Sequence, residues 1–160
     1  MDRIDFEIVR LLQNDGRISN KSLAAAVGLA PSTCFERVKQ LHGKGVITGI
    51  HAEVEPKVLG VGLEAFYFIG LNKHSRDTVE GFQRTIERIP EVRSVYLVSG
   101  RYDFLVHVAV RDTEHLRNLA LDSFTVRPEV TGIETVLIFD HSRNHELPNL
   151  RDDTGSGSGG

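Results

Sequence analysis

Gly28 and Pro31, with only Leu29 and Ala30 between them, constrain this chain more tightly than any other pair of residues. Glycine is the residue on which helices commonly end in a left-handed conformation. Proline suits the first position of a helix, where no intrahelical N–H bond is lost. The chain must therefore leave one helix and enter another within a single tight turn. Upstream, Ser19 can cap the first helix, with Leu23, Ala26 and Val27 as its apolar face. Downstream, Cys34, Val38 and Leu41 fall at i, i+4 and i+7, one inward stripe. Ser32, Thr33, Glu36, Arg37, Lys39 and Gln40 are left on the other faces. A helix, a short turn containing Gly and a polar-faced second helix make a helix-turn-helix pattern.

Charge is distributed to match. The 160 residues carry a formal net charge of -3, too little and of the wrong sign to coat a nucleic acid. Yet residues 16–50 hold Arg17, Lys21, Arg37, Lys39 and Lys44 against Glu36 alone, a local excess of four positive charges. Residues 61–160 hold 11 Lys or Arg and 15 Asp or Glu, a net of -4. A basic patch on an acidic remainder fits a confined polyanion site, although an ordinary solvated face carries the same pattern. The single Cys34 excludes an internal disulfide and fits a reducing compartment. No apolar run approaches the ~20 residues of a membrane span. Asp2, Arg3, Asp5 and Glu7 interrupt any signal peptide. The expectation is a soluble cytoplasmic protein with no membrane partner.

Along the chain, a first helix capped by Asp2 buries Ile4, Ile8, Leu11 and Leu12 and ends at Gly16. After the second helix of the turn motif, residues 45–54 carry Gly breaks and β-branched residues and read as a hairpin or wing. Residues 56–62, with one Pro and two Gly, read as a hinge. A domain this small buries only about 60% of its unfolded-chain surface, a first hint of a dimer. Beyond the hinge the period changes. Strands are expected over 65–71, 92–98, 104–110 and 130–139. Asp77 can cap a helix carrying Val79, Phe82, Ile86 and Ile89, and Asp112 or Thr113 one carrying Leu116, Leu119 and Ala120. Arg76-Asp77-Thr78 and Pro90-Glu91-Val92 recur as Arg111-Asp112-Thr113 and Pro128-Glu129-Val130, which supports two similar halves. The fold class is therefore α+β, an N-terminal winged helix-turn-helix followed by a ferredoxin-like βαββαβ domain. The expected divisions are 1–54, a hinge at 55–62, the second domain at 63–146 and a flexible Gly/Ser-rich tail at 147–160.

These residues resemble the Lrp/AsnC family of transcription regulators from about Ile4 to about Phe139. The opening Ile4-Asp-Phe-Glu-Ile-Val-Arg-Leu-Leu-Gln-Asn-Asp-Gly-Arg17 resembles the family's first helix and its Asp-Gly-Arg turn. Arg37-Val-Lys-Gln-Leu41, Gly45-Val-Ile-Thr-Gly49 and Gly60 match its recognition helix, wing and hinge. Ser99-Gly-Arg-Tyr-Asp103 resembles the Gly-x-Tyr-Asp turn of its regulatory domain, and Glu134-Thr135-Val136 its Thr-containing last strand. Two positions depart from the family. Ala30 stands where a capping Ser is usual, and Ile133 where relatives often carry a small polar residue.

Function is expected at two places. On the recognition helix, Ser32, Thr33 and Glu36 are candidates for base edges, Arg37 for base or phosphate, and Lys39 and Lys44 for phosphate. An ion pair with an acidic neighbour is the competing role for Arg37. Phe35 is expected to pack on the first helix rather than on a sugar edge, and Cys34 to be a small buried hydrophobe rather than a redox switch. Thr33 and Glu36 have capping-box spacing and can replace the missing cap only if the helix starts late. In the second domain, Gly100 permits a tight turn whose N–H groups can face a carboxylate. Asp103 can accept from an ammonium group, and Tyr102 offers a ring and a hydroxyl. The residues alone favour a plain hairpin turn with Asp103 bonded to its own backbone. The resemblance favours ligand binding, with Ser99, Gly100, Arg101, Tyr102 and Asp103 on the loop and Ile133 and Thr135 on the last strand. It implies an amino acid or similar small effector bound between regulatory domains, double-stranded promoter or operator DNA as partner, and homodimers assembling to an octamer. No cofactor and no metal are expected, since the seven His lack metal-ligand spacing. The rival is an enzyme resembling sirohaem decarboxylases, for which His107 and Arg101 would have to gather in one cavity. A third reading is a ligand-binding module that never touches DNA.

Overall fold

A computed structural model of the chain describes residues 1–72 and 75–151. It separates into two units, residues 1–53 with 142–151, and residues 54–141.

The first unit is built on α1 (Arg3–Asn14), α2 (Asn20–Ala26) and α3 (Pro31–Gly43). Asp2 caps α1 in a reciprocal box: its Oδ1 accepts from the Asp5 N–H at 2.9 Å, while the Asp2 N–H donates to Asp5 Oδ2 at 3.0 Å. Ser19 caps α2 through the Ser22 N–H at 3.0 Å. Gly28 is left-handed, with φ +69°, and Pro31 opens α3 as its spacing requires. The turn is also tied across itself, because the Asn20 amide donates to the Pro31 carbonyl at 2.8 Å. Ile8, Leu23, Ala24, Cys34 and Leu41 form the buried centre, flanked by Ile4, Leu11, Leu12, Val27 and Val38. One assignment within α2 differs from expectation: Ala24 is buried and Ala26 exposed. Leu23, Ala24 and Val27 are the residues that share a face on so short a helix.

The expected wing pairs no strands. The Val46 and Ile47 N–H groups bond back to the Leu41 carbonyl at 2.9 and 3.3 Å, so the backbone after α3 closes the helix end rather than a ladder. An isolated two-stranded hairpin is marginal in water, and Gly45 and Gly49 weaken this one further. Residues 142–151 carry no helix or strand and lie along α1. The Asn14 amide donates to Glu146 Oε2 at 2.6 Å, the Leu147 N–H to Gln13 Oε1 at 2.9 Å, and the Arg151 guanidinium sits 5.6 Å from the Phe6 ring centre. The remainder of the expected tail, 152–160, falls outside the described residues.

The second unit begins with a 3₁₀ turn, Pro56–Leu59, at the expected hinge. It continues as β1 (Leu63–Leu71), α4 (Arg76–Ile86), β2 (Val92–Leu97), β3 (Phe104–Val110), α5 (Thr113–Leu119), a π turn (Ala120–Thr125) and β4 (Val130–Ile138). The sheet order is β2-β3-β1-β4 with every neighbouring pair antiparallel, the ferredoxin-like βαββαβ arrangement. Alternation divides its two faces. Ala65, Tyr67, Ile69 and Leu71 of β1 and Phe104, Val106, Val108 and Val110 of β3 are buried with Phe82 and Ile86 of α4, Leu116 and Leu119 of α5, and Phe124. The Tyr67 hydroxyl reaches the Leu116 carbonyl at 2.5 Å, and burial raises its pKa. The opposite face carries Glu64, Phe66, Phe68, Leu105 and His107, none of them fully buried.

The internal echo is real at the strands and shifted at the helices. The Glu91 and Glu129 carbonyls take equivalent bonds, from the Ala109 and Asn72 N–H groups, both at 2.9 Å. But Asp112 caps α5, whereas Ser75 and not Asp77 caps α4. The earlier Ser supplies an oxygen to the Thr78 N–H and starts the helix two residues sooner.

Candidate nucleic-acid interface and effector loop

Recognition by α3 depends on which of its side chains remain outside. Ser32, Thr33, Glu36, Lys39, Gln40 and Lys44 are all exposed. Asp5, Ser32, Thr33, Glu36, Arg37 and Gln40 line an open hollow of about 530 Å³. Ala30 has the extended backbone of a cap residue, φ -64° and ψ 144°, but no side-chain oxygen to use it. Because α3 starts at Pro31, Thr33 and Glu36 lie inside its first turns and form no capping box.

Arg37 is already engaged. Its Nη1 lies 2.7 Å from Asp2 Oδ2 and 2.8 Å from Asp5 Oδ1. These bonds hold the guanidinium pKa above its ordinary value. They also help lower that of the Asp2 carboxyl, whose leading cause is its bond from the Asp5 N–H. Phe35, expected to pack on the first helix, is 55% exposed. It follows Cys34 by one residue, about 100° around the helix, so it turns away from the stripe that holds Cys34 fully buried. Cys34 has its thiol pKa raised by burial, as suits a packed hydrophobe.

At the other site, Gly100 adopts φ +126° within loop 98–103, a conformation that L side chains rarely adopt. The Val98 N–H bonds the Asp103 carbonyl and the Asp103 N–H bonds the Ile69 carbonyl, each at 2.9 Å. Asp103 Oδ2 accepts from the Leu71 N–H at 2.7 Å. The carboxylate thus anchors the loop on β1 rather than closing an isolated hairpin turn on itself. Arg101 lies 5.2 Å from the Tyr102 ring centre, and Tyr102 stands edge-on to Phe68 at 5.4 Å. The Tyr102 hydroxyl donates to Glu134, and that bond raises its pKa.

The seven candidate ligand residues do not share one face. On β4, Glu134 is opposite Phe68 on the open face of the sheet, while Ile133 and Thr135 are opposite Ile69 and Tyr67 on the helix face. Ile133 packs partly against the core. Glu134, omitted from the sequence-based set, touches the loop through Tyr102. Its signal was strand alternation combined with pairing register, and register cannot be read from one strand. A separate hollow of about 490 Å³, lined by Asn72, Asp77, Thr78, Gly81, Phe82, Thr85, Pro128 and Glu129, includes none of the candidate residues. Among the described residues no three His, Cys, Asp or Glu side chains are placed to hold a metal ion, and no helix is long and apolar enough to cross a membrane.

Residues 1–48 match the profile of the winged helix-turn-helix DNA-binding domain, and residues 64–147 that of the Lrp/AsnC ligand binding domain. The chain belongs to the Lrp/AsnC family of transcriptional regulators. It is 41% identical over 143 residues to the HTH-type transcriptional regulator AldR of Mycolicibacterium smegmatis, covering 89% of this chain and 84% of that one. It is 36% identical over 140 residues to the leucine-responsive regulatory protein of Escherichia coli, covering 88% and 85%. A Neisseria meningitidis transcriptional regulator solved as its L-Met complex superposes with a TM-score of 0.85 at 28% identity, over 92% of this chain and 96% of that one. This Lrp/AsnC chain is accordingly a DNA-binding transcription regulator with a ligand-binding domain, and not an enzyme. Arg101 lies over Tyr102 in the loop, whereas His107 sits within β3 with Nε2 2.6 Å from Glu64 Oε2 and its ring 5.1 Å from that of Phe66. Among the described residues His107 Nε2 has no hydrogen-bond partner despite that approach.

Proposed function

We propose that this regulator reads a specific duplex through α3 and is controlled by an amino acid bound at the regulatory domain of a homodimer. The observation that carries this reading is the exposed polar face of α3, with Ser32, Thr33 and Glu36 near its N-terminal end, the end that enters a major groove. Glu36 suits the amino group of a cytosine, and Phe35 an apolar contact with a thymine methyl. Lys39 and Lys44 neutralise phosphate. The effector reading rests on loop 99–103, where Gly100 exposes backbone, Asp103 supplies a carboxylate for an ammonium group, and Tyr102 and Arg101 cover the apolar part and the acid. On β4, Glu134 supplies the neighbouring wall, since Ile133 and Thr135 lie on the helix face of the sheet. The L-Met bound to the Neisseria relative supports an amino acid as the class.

The open sheet face supports pairing with a second copy, because Phe66, Phe68 and Leu105 are joined there by Tyr96 and Val136, 50% and 41% exposed. Dimers then assemble further, to an octamer. Effector binding favours one arrangement of dimers and hence one spacing of paired α3 helices, about 34–36 Å for successive half-sites.

The test begins with a duplex selected from a random pool by the full-length protein. Fluorescence anisotropy over a salt series, with and without each common amino acid, should give a negative salt slope and a midpoint moved by one or a few of them. A thermal-shift screen should flag the same compounds, since a ligand at 100 times its Kd stabilises by about 2.7 kcal/mol. Binding that ignores salt, or no selected duplex at all, would remove the regulator reading. A response to no amino acid would remove the effector class alone.

A further inference from the structure

The capping box of α1 and the Arg37 contacts use different oxygens of the same two carboxylates. Asp2 Oδ1 and Asp5 Oδ2 close the box on each other's backbone N–H groups. Asp2 Oδ2 and Asp5 Oδ1 are thereby left side by side, and Arg37 Nη1 lies between them. The box thus builds a two-carboxylate receptor before Arg37 arrives, which reduces the ordering needed to hold a long side chain. Arg37 also borders the buried stripe of α3, three residues after Cys34 and four before Leu41, and is only 28% exposed. Its neighbours along the outer face, at i-4 and i+3, are Thr33 and Gln40, which line the same hollow. Two carboxylates around one guanidinium leave a net charge of -1 at this point, and Glu36 lies beside it in the hollow. A DNA phosphate placed there would meet repulsion rather than attraction.

We propose that Arg37 is a positioning residue: clamped by Asp2 and Asp5, it fixes the roll of α3 on α1 so that Thr33 and Glu36 meet the bases in register, and it neutralises no phosphate. This rests on α3 being the DNA-reading helix. It makes the first turn of α1 part of the reading apparatus although no residue of that turn touches DNA.

The test uses the full-length protein and two duplexes, one selected from a random pool by the unaltered chain and one scrambled. Affinity for each is measured over a salt series for Arg37→Ala, Arg37→Lys and the isosteric pair Asp2→Asn with Asp5→Asn. Clamping predicts that Arg37→Ala and the Asn pair each lower the ratio of selected to scrambled affinity by about tenfold. Scrambled-duplex affinity shifts only with the local charge, down modestly for Arg37→Ala and up for the Asn pair, while its salt slope stays unchanged. Combining the two lowers the ratio by less than a further twofold. Arg37→Lys retains part of the ratio, since an ammonium can still bond one carboxylate. A phosphate contact predicts instead that Arg37→Ala weakens both duplexes alike and reduces the slope by about 0.9, and that the Asn pair leaves the ratio of selected to scrambled affinity unchanged. That result overturns the proposal, as does an unchanged ratio in both variants. A merely structural ion pair would lower the melting temperature while the folded fraction kept its ratio, which also overturns it; circular dichroism melts fix the folded fraction. If Arg37→Ala does not fold, Arg37→Lys and the Asn pair carry the same comparison. Failure of the unaltered chain to select any duplex sinks the DNA reading itself and the clamp with it, whereas a changed slope in the variant sinks only the clamp.

Discussion

Among the described residues, thirteen side chains close a single buried cluster in the ligand-binding unit, four of them aromatic: Tyr67, Phe82, Phe104 and Phe124. In the DNA-binding unit five do so, and two of those are as small as Ala24 and Cys34. A sheet with two helices on one face can bury whole alternating rows. Three short helices, one of which must keep a polar face in water, cannot. The smaller unit makes up the difference at its helix ends. The Asp2–Asp5 box, the Ser19 cap, the Asn20 bond to Pro31 and the Arg37 pair are all directional contacts at the edges of a thin core. What this teaches is that the reading head is specified by placement of polar groups, and the sensor by packing.

The largest expected effect lies in the packed unit. Phe104→Ala should cost about 3–5 kcal/mol through lost transfer energy and an unfilled cavity. In a denaturant titration followed by aromatic circular dichroism and by helical signal, the sheet unit's transition should move to lower denaturant while the helical unit's stays. Equal movement of both would mean that the two units unfold as one and would break the contrast. Smaller and confined to the head is Cys34→Ser, which sets a hydroxyl among Ile8, Leu23 and Leu41 and should cost about 1–3 kcal/mol if it finds no partner. Thiol labelling of the native chain should correspondingly be far slower than of the unfolded chain.

Ala30→Ser should act in the opposite direction. The backbone at residue 30 already has cap geometry, so an added hydroxyl should stabilise the head by about 1 kcal/mol. No gain in its melting temperature would show that α3 is held at that end by something other than its cap. The smallest effect is on pH. The Asp2 carboxyl titrates below its ordinary value of 3.8 in the folded chain, so the folded state binds its proton less readily than the unfolded state. Its contribution to stability is therefore present above pH 3.8 and fades as pH falls through the lowered folded value. Acid unfolding of the head, followed at 222 nm, should lose this component in Asp2→Asn, whereas the sheet unit should be indifferent to that substitution.

Much of the fold was legible because it depends on local chemistry. Gly28 and Pro31 marked the turn, Ser19 and Asp112 their caps, and the change of period after residue 62 the passage from helices to sheet. Where expectation departed from structure, a competing partner decided. Ser75 took the cap from Asp77 because an oxygen two residues earlier reached a free N–H first. The hairpin after Gly45 did not pair because its N–H groups turned back to Leu41. Phe35 faced outward because it lies about 100° around α3 from the buried Cys34.

The site residues divide in the same way. The order of the motifs from Ile4 to Val136 placed this chain in its family and named both functional regions, since spacing along a helix or a turn is a property of the sequence itself. Only the tertiary structure decided that Arg37 belongs to Asp2 and Asp5, more than thirty residues distant in sequence. It likewise decided that Asp103 anchors its loop on Leu71, and that Glu134 rather than Thr135 meets Tyr102. Each of these turns on which polar group arrives beside which when separate elements pack. Strand register and helix roll set that, and neither is encoded in any one segment.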